Sequence, residues 1–434
     1  MLKHKKTEQT EYKKNLKAYH KYSARHVLVM ETDIPEQLKR KVFHYAELER
    51  KASNELIAIM KNNLEQLMRT KRYRKLKKLY GRCKEKSNNK KLSSIINEMT
   101  FMQKQYSVTW ENCRKAMISI QKKYGIDAIF ALTRAEDVWK GVEKSLYSDG
   151  KTLHFIKRGN LPCIRAKQSN RGIIISAKGG KLVFKWNKEL INIKINDRFE
   201  ADEINAVLTY LSKTSEIDKK AVDTFQEEGI CINTYRPCYA SLICKVIRGK
   251  LRVYIHLTIE GNAMPKYKSN GKKRHLYGNG KVGCDIGTQT IAYTSNSKVG
   301  LKNLAERGRT NTSEKKQRRI YRAMERSRRA ANPQNYNKDG TIKKGRKIWK
   351  ESKRYKKLKA KYKELCRINA ENRRFAINED VNRLRSLGNI FITEQKNTKK
   401  LQKRAKNTTI NKNGKYNRKK RFGKSIQNRC PGYF

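Results

Sequence analysis

A single carboxylate, Asp285, sits in the segment KVGCDIGTQTIAYTS, Lys281 to Ser295, between two short apolar runs. Val282, Cys284 and Ile286 alternate with Gly283 and Asp285, the period of a half-buried strand. Gly287-Thr288 then marks a turn into a second strand, IAYTS. Another acid, Glu394, ends the apolar run NIFITEQ. Carboxylates gathered from distant strands can ligate divalent metal. Two Mg²⁺ ions about 4 Å apart activate water and stabilise the leaving oxygen in phosphodiester hydrolysis. In that reading Asp285 is one ligand and Glu394 the second. An Asp before Ile-Gly can instead belong to a phosphate-cradling hairpin, or simply accept hydrogen bonds within its own turn. The residue types alone leave all three open.

The chain that carries these acids is extremely basic. Of 434 residues, 104 are Lys or Arg and 39 are Asp or Glu, a formal charge of +65 and a pI near 10.2. Such a chain repels itself unless counter-charge is supplied, and a long polyanion supplies it with release of condensed counterions. Anionic membrane is the competing partner. No run of about 18 apolar residues exists, and the charge is spread along the chain rather than over one amphipathic face, so nucleic acid is favoured and a membrane partner is not expected. The N-terminus, MLKHKKTEQTEYKKNLKAYHKYS, has no apolar core and does not read as a signal peptide. Nine scattered cysteines form no Cys-x-x-Cys pair, so neither a zinc ribbon nor a disulfide framework is visible. Free thiols beside this charge imply a reducing, cytoplasmic setting.

The positioning elements can be sketched from periodicity. A basic arm over 1–23 leads to a strand, HVLVMET, within 24–32. Residues 33–154 read as a helical module. Asp33 is placed to cap its first helix, with Pro35 in the first turn, Glu36 three after the cap, and Leu38, Val42, Tyr45, Ala52, Leu56, Ile59 and Leu67 along one face. Further helices are expected over 92–124 and 128–147. Over 155–264, hairpins at Gly179-Gly180 and Arg248-Gly249 and the alternating INIKI suggest a small β-barrel or sandwich. Residues 265–278 read as a Gly- and Lys-rich linker. Two basic helices are expected beyond the Asp285 hairpin. One covers 313–331, capped by Asn311 with Glu314 three later. The other covers 349–387, with Tyr355, Leu358, Tyr362 and Leu365 on one face. The loop between them, NPQNYNKDGTIKKG, reads as a plain surface turn. The tail from Gln395 to Phe434 has no acid and reads as a phosphate-binding or disordered arm. Trp110, Trp139 and Trp186 suit a core better than base stacking, and His275 suits solvent.

Two resemblances extend this reading. DIGT followed by a strand resembles the phosphate hairpin of actin-like ATPases and sugar kinases. The further glycine hairpins of that fold find no good match, because Asp149 and Asp339 lie in loops outside strand contexts. More specifically, GCDIGTQTIAYTS resembles the first RuvC motif of the TnpB family, transposon-encoded RNA-guided nucleases related to type V CRISPR effectors. GNIFITEQKNTKKLQKRAK and NGKYNRKKRFGKSIQNRCPGYF look like its second motif and the segment after it. The resemblance is motif-specific after residue 280 and one of layout before it. It implies a multidomain α+β protein: a helical recognition module inserted in a wedge-type β-barrel, then an RNase H-like (RuvC) α/β domain over 279–434. Asp285 and Glu394 fall on the first two catalytic, metal-ligating acids, with two Mg²⁺ ions as cofactor and guide RNA and double-stranded target DNA as partners. The family's zinc ribbon and third acid are not met before Phe434. The resemblance therefore implies a C-terminally truncated nuclease domain without zinc, in a nucleoid-associated prokaryotic protein. Three functions remain: an RNA-guided DNA endonuclease, a truncated or domesticated RNA-guided DNA binder without cleavage, and an unrelated RNA-binding protein of ribosomal type.

Overall fold

Short apolar alternation in a lysine-rich chain builds strands only where one face finds a core, and β1 illustrates the rule. After helix α1 (Leu2–Tyr22), strand β1 (Arg25–Asp33) buries Leu28, Met30 and Thr32 while Val27 and Val29 face outward. In this computed structural model, which describes residues 2–85, 89–148, 150, 152–304, 309–395, 410, 413–414, 426 and 429–433, the chain divides into two units. They are Met1–Met264 and Pro265–Phe434.

In the first unit β1 is followed by α2 (Glu36–Arg69), α3 (Lys71–Glu85), α4 (Asn89–Gln105), α5 (Trp110–Tyr124) and α6 (Ala128–Tyr147). The strands β2 (Ile164–Arg165), β3 (Ile173–Lys178), β4 (Lys181–Trp186) and β5 (Glu189–Lys194) come next. Helices α7 (Arg198–Ser212) and α8 (Thr214–Glu228) separate them from β6 (Pro237–Ile247) and β7 (Lys250–Glu260). The seven strands form one antiparallel sheet in the order β2-β6-β7-β1-β5-β4-β3, and it curls so that β3 lies against β6. One continuous core joins the sheet to α2 through Met30, Leu56, Phe130, Phe184 and Leu257.

Several expectations are corrected here. The basic arm is helical and docked: Tyr19 of α1 is fully buried, donates to the Ile232 carbonyl at 2.6 Å and packs edge-on against Phe225. Asp33 does not cap α2, because β1 runs through it to pair with Asn192, and Pro35 occupies the cap position instead. Ile59, expected on the buried face, is 40% exposed. The helix expected over 92–124 is broken at Ser107, which has a left-handed φ of 55°, and restarts where the Thr109 hydroxyl accepts from the Asn112 amide. Helices α3, α7 and α8 go beyond the elements the periodicity marks, and the last two interrupt the β segment expected over 155–264. Trp186 is core, Trp110 and Trp139 pack against that core, and His275 is exposed.

In the second unit β8 (Lys281–Ile286), β9 (Thr290–Ser295) and β10 (Val299–Asn303) form an antiparallel meander. A helical hairpin, α9 (Arg309–Ala330) and α10 (Lys353–Arg385), then carries the chain across to β11 (Ile390–Thr393), which pairs parallel with β8. The order β10-β9-β8-β11 is a mixed sheet with a helical crossover. Helix α9 begins at Arg309, so Asn311 falls inside its first turn rather than before it. Ser352 caps α10 through the Tyr355 amide at 3.1 Å. The connecting loop is more than a surface turn. Asn332 is fully buried, donates to the Arg328 and Lys350 carbonyls and accepts from the Lys350 amide. Most of the basic tail after Gln395 lies outside the described residues.

Candidate functional site

The alternation in β8 decides which side chains meet. Val282 and Cys284 are buried with Tyr293 and Leu384 in a small core between the sheet and α10, and Asp285 points to the opposite, exposed face. Burial raises the Cys284 thiol above its ordinary value. Its sulfur is therefore a neutral packing group rather than a thiolate ligand.

The decisive geometry is the register of β11 on β8. Ile390, Phe391, Ile392 and Thr393 sit opposite Lys281, Val282, Gly283 and Cys284. Glu394 follows β11 directly, and the same register carried one step past the last paired residues would set it opposite Asp285. Parallel neighbours in register point to the same side of a sheet, with strands about 4.8 Å apart. Two acids more than a hundred residues apart in sequence thus fall at the same end of two paired strands. On that same face the registers place Ala292 and Leu301 beyond Asp285, and Ile392 one pleat below Glu394. Leu301 is 71% exposed and Ile392 is 57% exposed.

This alignment is fixed at the strand origins. The Gly280 carbonyl accepts from the Asn389 and Ile390 amides at 3.0 and 3.1 Å, and the Asn389 side-chain oxygen accepts from the Gly280 amide at 3.1 Å. A Cβ on Gly388 would lie 2.6 Å from the Gly280 carbonyl oxygen, so the two chain segments touch backbone to backbone.

The helical hairpin of the same unit supplies cations. Its helices are joined by the Tyr321–Tyr362 ring pair, at 5.7 Å, and by an Asn369 amide donating to Gln317 at 2.9 Å. Arg328 stacks 4.6 Å over Trp349, and Arg385 lies 4.3 Å over Tyr277. No helix among the described residues is long and apolar enough to cross a membrane.

No protein-family model matches the chain. No curated protein matches it either. Among solved structures it is similar to a cryo-EM structure of a Cas12f1–sgRNA–target DNA complex, at 10% identity and a TM-score of 0.39, over 86% of this chain and 81% of that one.

Proposed function

We propose that the protein is an RNA-guided DNA-targeting effector of the TnpB type whose second unit is a RuvC-like nuclease domain. The observation that carries this reading is the parallel β8–β11 register, which ends with Thr393 opposite Cys284, the residues just before Glu394 and Asp285. The sheet order, an antiparallel meander extended by one parallel strand through a helical crossover, suits an RNase H-like core. The charge of +65 suits a chain that holds both a guide RNA and a DNA target.

The two carboxylates fit the donor set of Mg²⁺, which is commonly held by one or two carboxylates with the remaining positions filled by water and substrate phosphates. Among the described residues no group of three or more His, Cys, Asp or Glu side chains gathers. When bound, the ion would polarise the scissile phosphate and lower the pKa of an attacking water. Asp285 and Glu394 would contribute the negative charge that holds the ion. A sugar-phosphate backbone would approach on this exposed face. Lys281, on the same face, offers it a cation.

The test is cleavage of DNA matching a bound guide RNA, with Mg²⁺ and with EDTA. Wild type is expected to cut only with Mg²⁺, and Asp285→Ala or Glu394→Ala is expected to lower cleavage by at least about a hundredfold while RNA binding persists. Equal cleavage by wild type and both variants overturns the site assignment. RNA-dependent DNA binding with no cleavage by wild type leaves a binding protein instead of a nuclease.

A further inference from the structure

We infer that a cationic cleft in the first unit, between α6 and the β2–β6 end of the curled sheet, seats the backbone of single-stranded RNA. The inference deepens the reading above and rests on it. The cleft has a volume of about 740 Å³ and is lined by Arg25, Lys140, Arg165, Lys167, Arg171 and Arg236, with no carboxylate in its walls. Three of these cations are matched from behind: Arg165 by Asp137 at 2.9 Å, Lys167 by Glu136, and Arg236 by Glu260 at 3.4 Å. Among the described residues, Arg25, Lys140 and Arg171 have no acidic partner. Packing like charges around a cavity is unfavourable in the free protein, and a polyanion entering it removes that cost.

The matched arginines are held from within the core. Glu49, fully buried, faces Arg134, which is 5% exposed; Arg134 reaches Asp137 at 3.0 Å, and Asp137 grips Arg165. On the other wall Glu260, also fully buried, takes His20 at 2.8 Å and the Thr234 hydroxyl at 3.1 Å beside Arg236. Each guanidinium is thus oriented before a ligand arrives and keeps further N–H groups for a phosphate. The Arg165 Nε is buried and has no acceptor among the described residues. Nor do the backbone N–H groups of Gln168, Ser169, Asn170 and Arg171, which edge the same cavity, meet an acceptor there.

Size and chemistry narrow the occupant. An open cleft of this volume, within the range of about 300–1,000 Å³ of small-ligand sites, admits a nucleotide or two of single strand. Tyr239 offers a ring face for an unstacked base, and Ser169 and Asn170 offer hydrogen-bonding groups to sugar hydroxyls. The 2′-OH distinguishes RNA from DNA at such a wall.

The experiment measures binding of the full chain to single-stranded RNA, and to DNA of the same sequence, over a salt series. The test variant is Lys140→Gln/Arg171→Gln, two exposed cations outside the ion pairs. Its control is Lys178→Gln/Lys181→Gln on the β3–β4 hairpin. The cleft variant is expected to lose at least about tenfold in RNA affinity, with the salt slope reduced by about 0.7 per cation removed, and the control to lose under threefold. Ser169→Ala/Asn170→Ala is expected to narrow the preference for RNA over DNA. Equal losses in cleft and control variants overturn the cleft, and an undiminished RNA preference overturns the assignment to RNA. If wild type binds no RNA, the proposed function itself fails; if wild type binds RNA and the cleft variant binds it equally, only the cleft is lost.

Discussion

The strands that carry Asp285 and Glu394 meet backbone to backbone at their origins, Gly280 and Gly388. Gly388 has no room for a side chain: a Cβ there would sit 2.6 Å from the Gly280 oxygen and 2.7 Å from Val282 Cγ2. Backbone oxygen cannot swing away as a flexible side chain can, so Gly388→Ala must push β11 off β8. The expected cost is about 1–3 kcal/mol of stability in the second unit, read by chemical denaturation, with loss of Mg²⁺-dependent cleavage at temperatures where the variant is still folded. Gly81 is the contrasting case. It lies in the interior of α3 with nothing within 4 Å of its would-be Cβ, so Gly81→Ala should stabilise the first unit by about 0.5–1 kcal/mol. Retained cleavage by Gly388→Ala would show that the strand origin does not set the acid spacing. At this scale the acids were legible in the sequence because a carboxylate in an apolar strand is conspicuous. Gly388 and Asn389 were not, because their role is an approach between distant segments and leaves no local pattern.

The element scale adds a buried charge to a helix that looked purely apolar. Leu38, Val42, Tyr45, Ala52 and Leu56 mark the inward face of α2, and Glu49 falls on the same stripe, fully buried. Burial pushes its carboxyl up, to about 8, against the pull of Arg134. The folded chain therefore holds a proton that the unfolded chain releases above its ordinary value of 4.5. This contribution to stability is full below about pH 4.5, falls as pH rises, and is exhausted above about 8. Glu49→Gln carries no such titration. The melting temperature of the variant minus that of wild type should climb between pH 5 and 8 and then level off, by about 2–4 °C for each kcal/mol in a unit of this size. A difference independent of pH would mean that Glu49 stays ionised beside Arg134 throughout. The stripe itself was readable from helical spacing, and an acid within it was the available signal. Helices α7 and α8 were hidden differently. Helix α7 has a readable start, with Asp197 capping it and Glu200 three later, and Ile204, Val207, Leu208 and Leu211 at helical spacing, whereas α8 buries only Ala221 and Val222. The strong alternation on both sides dominated the reading.

Across the whole molecule the balance between apolar burial and charge differs between the two units. The first unit has a continuous core from β1 through α6 to β7, whereas the sheet of the second rests on Val282, Cys284, Tyr293 and Leu384, with a cavity of about 410 Å³ beneath β8, β9 and β11. Composition announced the excess of cations, but not where the chain concentrates them, because a cleft is assembled from α6, β2, β6 and a loop that lie far apart in sequence. A net +65 opposes compaction everywhere, and dissolved salt screens it within about 10 Å at 0.1 M. Raising salt should therefore raise the melting temperature of the free protein. Single-stranded RNA should raise it more, since a ligand at a hundred times its Kd adds about 2.7 kcal/mol, but that increment should shrink as salt competes for the phosphates. The two salt dependences have opposite signs and can be measured by thermal shift on one sample with and without RNA. If the RNA increment is absent at low salt, or is unaffected by added salt, the positive charge is not organised for a polyanion and the nucleic-acid reading of the chain fails.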